Sequence, residues 1–420
     1  MTDLLPPPHP DTRVAETPPA PADRRWGNNT GLIVLLALVA LLGLYKGWSA
    51  VFFVFALVLM IFMHELGHYM TARWAGMKVT QFFIGFGPRI WSFRRGETEY
   101  GIKALPLGAY VRIIGMNNLD TVDPADESRA YRNKPYWRRL SVAVAGSAMH
   151  FLLALVFAFI LIAGFGRERF DYWVVRTVVP SSPAEAIGLK VGDRIIAIDG
   201  HDSRDYRTAV ELLRDRPGAL VDLTVVRDGD TIDLQTRLAD HNLQGAHVGF
   251  LGFGPALPRV RPSLGASVGQ SFTYYGSTFR DTLGFLGHFF SPHGVSSYID
   301  TVLNRQATTT GAPATTTDRP ASVFGLVQVG SEATRSGIAY LFELFVLFNI
   351  GIGVFNIIPL PPLDGGHVAI ATYEKIRSRR GRRYHVDAAK LMPLTYAVVL
   401  LLSVLFLTSA YLDITRGIGN

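Results

Sequence analysis

AVFFVFALVLMIFM at residues 50–63 runs without a break into HELGH at 64–68. The first stretch is apolar throughout; the second brings three ionisable side chains to its end. On a helix, positions four apart share a face, so His64 and His68 point the same way. Two imidazoles so placed can bind one Zn²⁺, as in the H-E-x-x-H pattern. Glu65 then sits beside the open coordination position, placed to take a proton from water there. Ionisable groups at membrane depth are costly and mark functional sites. The plain alternative is a helix end emerging into the headgroups, with both histidines at the interface.

Composition fits a chain that lives in a membrane. Of 420 residues, 49% are hydrophobic and 18% charged, against roughly 25% charged in an ordinary soluble domain. There is no cysteine, which removes disulfides, Cys-ligated zinc, iron–sulfur clusters and a thiol nucleophile. Any metal must sit on His, Asp and Glu. Four further apolar stretches, 31–45, 140–164, 339–363 and 391–411, accompany the first. A helix needs about 20 residues to span a bilayer. Residues 31–45 and 50–63 are each short alone, and Lys46-Gly47-Trp48-Ser49 lies between them. They read as two spans with a tight turn, the second running on to about Trp74; a single bent span is the alternative.

The net charge is +7, and its placement carries information. Segment 73–139 holds twelve Lys and Arg, segment 375–390 holds seven, and Arg13, Arg24 and Arg25 lie in the tail. The positive-inside rule makes all three cytoplasmic. About five spans then alternate consistently and leave 165–338 outside. The basic charge is topological, and nucleic acid is not an expected partner, because no basic stripe with stacking aromatics accompanies it.

A catalytic zinc takes three protein ligands and keeps one open position. Asp364 is the best-placed third ligand. It closes the fourth apolar run in NIIPLPPLDGG, residues 356–366, where three prolines stop the helix and two glycines free the backbone. The charge-derived topology puts it at the same depth as HELGH although 300 positions separate them. The plain alternative is a loop carboxylate capping a turn. Glu343, His150 and His367 compete less well: Glu343 falls near the opposite face, and His367 suits a supporting donor.

Between the third and fourth spans, residues 172–258 read as short strands and turns. Trp173–Val179, Arg194–Ile198, Val221–Val226 and Thr231–Thr236 are β-rich, Asp228-Gly229-Asp230 is a hairpin turn, and Tyr206–Arg214 looks helical. The stretch PSSPAEAIGLKVGDRIIAIDG, residues 180–200, closely resembles the signature of bacterial PDZ domains. Residues 1–30 are a Pro-rich tail expected to be disordered, not a signal peptide. The expected units are then 31–75 with the first two spans, a cytoplasmic-side β-rich loop at 76–138, a span at 139–165, the PDZ-like domain, and a linker at 259–335 with a Thr-rich loop. A span at 336–370 ending in the LDG motif, a basic loop at 371–390 and a last span at 391–412 follow.

HELGH, GFGP (85–88), GETEYGIKALPLGAYVRIIGM (96–116), the PDZ-like insertion and NIIPLPPLDGGH (356–367) together resemble the bacterial site-2 proteases, peptidase M50-type intramembrane zinc metalloproteases. The resemblance covers roughly 50–415. It implies a multi-pass α-helical membrane protein with a membrane-associated β-loop and an inserted extracytoplasmic PDZ-like β/α domain. It also implies His64, His68 and Asp364 as Zn²⁺ ligands and Glu65 as general base. Asn356 falls where the family holds substrate or intermediate, and residues 78–115 fall on the β-structure that holds substrate as an extended strand. The implied setting is the bacterial inner membrane, and the implied partners are transmembrane protein substrates such as anti-sigma factors or remnant signal peptides. One departure stands out: members usually carry A-G-P-x-x-N in the next span, whereas this chain reads Ala145-Gly146-Ser147-Ala148-Met149-His150. His150 stands in place of that Asn and reads most simply as a packing or hydrogen-bonding residue, with tuning of the site as the alternative. The rivals are a catalytically inactive PDZ-bearing scaffold and a transporter; intact HELGH and Asp364 speak against the first, and the lack of an inverted repeat against the second.

Overall fold

The computed structural model describes residues 30–116, 120–243, 246–303, 330, 337–378 and 384–416. The tail up to residue 29, the Thr-rich stretch 307–317, and Arg379, Arg380, Arg382 and Arg383 of the basic loop lie outside them.

The apolar stretches form α1 (Thr30–Lys46) and α2 (Trp48–Trp74), separated by Gly47 at a positive φ. Strands β1 (Val79–Arg95) and β2 (Thr98–Ile113) follow, then α3 (Tyr136–Ile160), which ends in a wider π-type turn, Leu161–Phe165. Four helices are long and apolar enough to cross a membrane, the architecture of a multi-pass helical membrane protein. The Ile33–Tyr45 stretch of α1 is apolar but shorter.

The β1–β2 pair is more than a hairpin. Phe82 faces Val111 on one side and Tyr100 on the other, while Phe93 also pairs with Tyr100. Both strands therefore fold over, β1 at Gly85-Phe86-Gly87, where two glycines take positive φ, and β2 at 105–108. The result is four arms in the order 89–95, 98–105, 79–86, 109–113. Only the first and last arms have an unpaired edge.

The inserted unit hangs on a two-stranded neck of β3 (Arg167–Glu168) and β12 (Arg259–Val260). Between them run β4 (Val174–Val178), α4 (Pro183–Ala186), β5 (Arg194–Ile198), β6 (His201–Asp202) and α5 (Tyr206–Arg214). Then come β7 (Leu220–Arg227), β8 (Asp230–Arg237), β9 (Ala239–Leu243), β10 (Ala246–Phe250) and β11 (Phe253–Ala256). The expected strands and the helix at 206–214 are all present, arranged as a four-stranded sheet β6-β5-β7-β8 and a separate β11-β4 pair. Trp173, Ile195, Ile198, Leu223 and Val225 fill its core. Burial opposes the charge on Asp193, but hydrogen bonds from Arg227 and the Lys190 amide hold its carboxyl below the usual range.

The expected linker at 259–335 is not a plain linker. It begins with α6 (Leu264–Phe289) and α7 (Pro292–Val302). Tyr274, Tyr275 and Phe279 of α6 pack on a cluster of Ala154 and Ala158 of α3 with apolar residues further along the chain. Composition hid α6, since five glycines and many Ser and Thr interrupt it. Its hydroxyls bond back to carbonyls one turn earlier, Ser271 to Ser267 at 2.6 Å and Thr282 to Thr278 at 2.8 Å, so it presents little unsatisfied polarity.

The last helices are α8 (Ile338–Asn356), α9 (Asp364–Arg377) and α10 (Ala388–Arg416). The span expected to end in LDG stops earlier, at Asn356, and Asp364 opens a new helix instead of lying on broken backbone. Central α3 packs against α2, α6, α8 and α9. A buried ion pair, Arg139 Nη1 to Glu374 Oε2 at 2.6 Å, pins α9 to α3. Glu343 of α8 pairs with Arg259, which also binds Glu168, so the charge at this end of α8 ties the neck to the helices.

Candidate metal centre

Three side chains from two distant segments converge. His64 and His68 project from one face of α2, and Asp364 is the first residue of α9. His64 Nε2 and His68 Nε2 lie 3.1 Å apart, and Asp364 Oδ2 lies 3.3 Å from the first and 3.2 Å from the second. A tetrahedron with bonds of about 2.0–2.1 Å has edges of about 3.3 Å. The three atoms therefore already sit at the corners of one face of a zinc coordination sphere. Both histidines are buried, and Asp364 is partly so. No other group of three or more such ligands occurs among the described residues.

Two features prepare this geometry. His68 Nδ1 donates to the Val142 carbonyl at 2.7 Å, which fixes the tautomer and leaves Nε2 bare for a metal. Asp364 is held by a tight fold-back of 357–363 onto the start of α9. A Cβ at Gly365 would overlap the carbonyls of Ile357 and Ile358, and one at Gly366 would lie 2.7 Å from the Pro361 nitrogen. Only glycine permits that approach.

Gly146 of α3 forms the floor. A Cβ there would lie 2.5 Å from both His64 Nε2 and His68 Nε2. The α2–α3 contact is equally close at Gly67, whose Cβ would meet the Ala145 carbonyl oxygen at 2.8 Å. In the sequence Gly146 signals close helix approach; its position against the ligand nitrogens needs the fold.

Glu65 sits half-buried beside the cluster, and its helix packs against β2, which carries the 109–113 edge arm. Asn356 closes α8 half-buried, and its side chain makes no hydrogen bond among the described residues, to the three ligands or otherwise. His367 lies against the Tyr131 ring, 6.3 Å between centroids. A cavity of about 580 Å³ lies nearby, lined by Val111, Arg112 and Ile113 of the 109–113 arm with Pro361, Pro362 and His367; the three converging side chains and Glu65 do not line it. Buried His150 touches the His64 ring, a placement the sequence did not assign.

The comparisons with known proteins bear on this site. The model of peptidase family M50 matches residues 52–402. Among curated proteins, the chain is 30% identical to zinc metalloprotease Rip1 of Mycolicibacterium smegmatis over 412 residues, covering 89% of this chain and 98% of that protein. It is also 30% identical to zinc metalloprotease Rip1 of Mycobacterium bovis over 406 residues, covering 88% and 97%.

Proposed function

The chain belongs to peptidase family M50, the site-2 proteases, and is a zinc metalloendopeptidase; from that premise we propose that it hydrolyses peptide bonds within transmembrane segments of other membrane proteins. The observation that carries this reading is the ligand triangle. His64 and His68 lie on an apolar helix long enough to span a membrane, and Asp364 reaches them from the head of α9.

His64, His68 and Asp364 would hold the zinc, which when bound supplies a Lewis acid that polarises the scissile carbonyl and acidifies water. Glu65 would take a proton from the attacking water as its oxygen bonds to the carbonyl carbon. It would then return that proton to the amide nitrogen as the C–N bond breaks, leaving a carboxylic acid, which ionises to solvent, and an amine. Asn356, with an uncommitted amide, would donate to the substrate carbonyl as negative charge develops there.

A helical substrate hides its carbonyls, so it must unwind before it can be cut. The free edge of the 109–113 arm, beside Glu65 and along the cavity, suits an unwound strand that adds to the sheet. The opposite edge, 89–95, belongs to the far arm.

The charge pattern supports an inner-membrane orientation with the β-arms and the 375–390 loop cytoplasmic and the inserted unit outside. α1 would then supply a fifth span. We read the inserted unit as PDZ-like, supported by its strand-and-helix order and the 180–200 signature; it would either bind a newly exposed carboxy terminus or exclude substrates with bulky outer domains. Anti-sigma factors already cut once, or remnant signal peptides, are the substrate classes that fit. The convergence of His64, His68 and Asp364 speaks against the scaffold alternative.

The test uses purified chain in proteoliposomes with a single-pass substrate and locates the cut by mass spectrometry. Cleavage inside the apolar segment is expected, stopped by a zinc chelator and restored by zinc. Cuts confined to the soluble flanks would contradict the reading. In the same assay Asn356→Ala is expected to lower kcat by roughly 10²–10³-fold and to leave zinc content unchanged.

A further inference from the structure

His150 is buried to 1% exposure on α3, one turn beyond Gly146. Its ring lies 5.0 Å from the His64 ring, centroid to centroid, inclined at 44°. On its far side, Nδ1 is 2.8 Å from Oδ1 of Asn349, a fully buried residue of α8. Asn349 spends both amide protons elsewhere, on the Phe345 carbonyl and on the Met60 sulfur, each at 2.8 Å. Reversing that amide would set its oxygen against the Phe345 carbonyl oxygen, two acceptors with no proton between them. The oxygen therefore faces His150, and His150 Nδ1 carries the proton. Its Nε2 is then a bare acceptor, and it makes no hydrogen bond among the described residues.

His64 presents the complementary need. Its Nε2 belongs to the ligand triangle, so Nδ1 must carry a proton, and that nitrogen is buried without a hydrogen-bond partner among the described residues. Metal-binding histidines almost always donate their second ring proton, as His68 does to Val142. A donor lacking an acceptor and an acceptor lacking a donor thus lie on two rings in contact.

We propose that His150, pinned by Asn349, is a positioning residue for His64. Its Nε2 accepts the His64 Nδ1 proton, directly or through one bridging water. The chain Met60–Asn349–His150–His64 joins three helices and returns to the one it started from, since Met60 lies one turn before His64 on α2. It gives His64 the orientation that His68 receives from a backbone carbonyl. The inference rests on the proposed ligand set and adds a residue to its support.

The experiment measures zinc affinity of the full chain in detergent by competition with a chromophoric chelator, and the visible spectrum of the Co²⁺-loaded protein. His150→Phe keeps ring packing and removes the acceptor; it should weaken zinc by roughly 10–100-fold and shift the cobalt bands. Asn349→Leu, which leaves His150 in place but unpinned, should do the same, and the double variant should lose no more than the worse single one. His150→Asn retains an acceptor and should stay within a few-fold of wild type. Should His150→Phe not fold, Asn349→Leu and His150→Asn carry the test. Wild-type affinity and an unchanged spectrum in His150→Phe would overturn the proposal. So would equal losses in His150→Asn and His150→Phe, which would mean packing alone, or fully additive losses in the double variant. Failure of the ligand set itself looks different: zinc would then survive His64→Ala.

Discussion

Replacing Glu65 by Gln is expected to leave zinc at wild-type stoichiometry and to lower turnover by about 10²–10⁴-fold. Gln matches Glu in shape, so the packing of α2 against β2 is kept. The three ligand atoms belong to other residues, and no hydrogen bond among the described residues joins Glu65 to them. What Gln cannot do is accept a proton from water and pass it to the leaving nitrogen. Single-turnover cleavage in proteoliposomes, with metal content measured on the same sample, separates the two effects. Wild-type cleavage would remove Glu65 from the chemistry; lost zinc would make it part of the metal's support.

Gly146→Ala is expected to damage the site directly by adding one carbon between the two histidines. The new methyl would lie 2.5 Å from both ligand nitrogens, His64 Nε2 and His68 Nε2, inside any van der Waals contact. α3 cannot back away cheaply, because Gly67 already sets α2 against the Ala145 carbonyl and His68 Nδ1 is bonded to Val142 on the same helix. Overpacking of this kind costs about 1–3 kcal/mol, and here it falls on the space the ligands share. Zinc content and cleavage should both be lost. Gly351→Ala in α8 is the control, since a Cβ there meets nothing within 4 Å; it should leave both intact. Normal zinc affinity in Gly146→Ala would mean that the histidines do not converge beside α3.

The sequence disclosed the centre of the site and concealed its surroundings, for physical reasons. HELGH is local, a periodicity on one helix. Asp364 was reachable because the topology expected from loop charge set two remote segments at one depth, and the structure brings its carboxylate to the two histidines. The strands and helix of the inserted unit were legible from alternation and turn chemistry. By contrast, Asn349 is an isolated polar residue in an apolar run, and its link to His150 crosses 199 positions. Nothing periodic announces it. Helix α6 escaped because its Ser and Thr side chains satisfy themselves against their own backbone, which composition scores as loop. The fold-over of β1 and β2, which leaves the 109–113 edge beside Glu65, depends on long-range register. The helix that Asp364 opens was masked by the Pro and Gly run immediately before it.

The most direct test of the central claim, that His64, His68 and Asp364 form one zinc site, is metal content by mass spectrometry. It compares detergent-purified wild type with His64→Ala and Asp364→Ala. The account predicts one zinc per chain in the wild type and none in either variant. Zinc retained in Asp364→Ala at the wild-type level would contradict it.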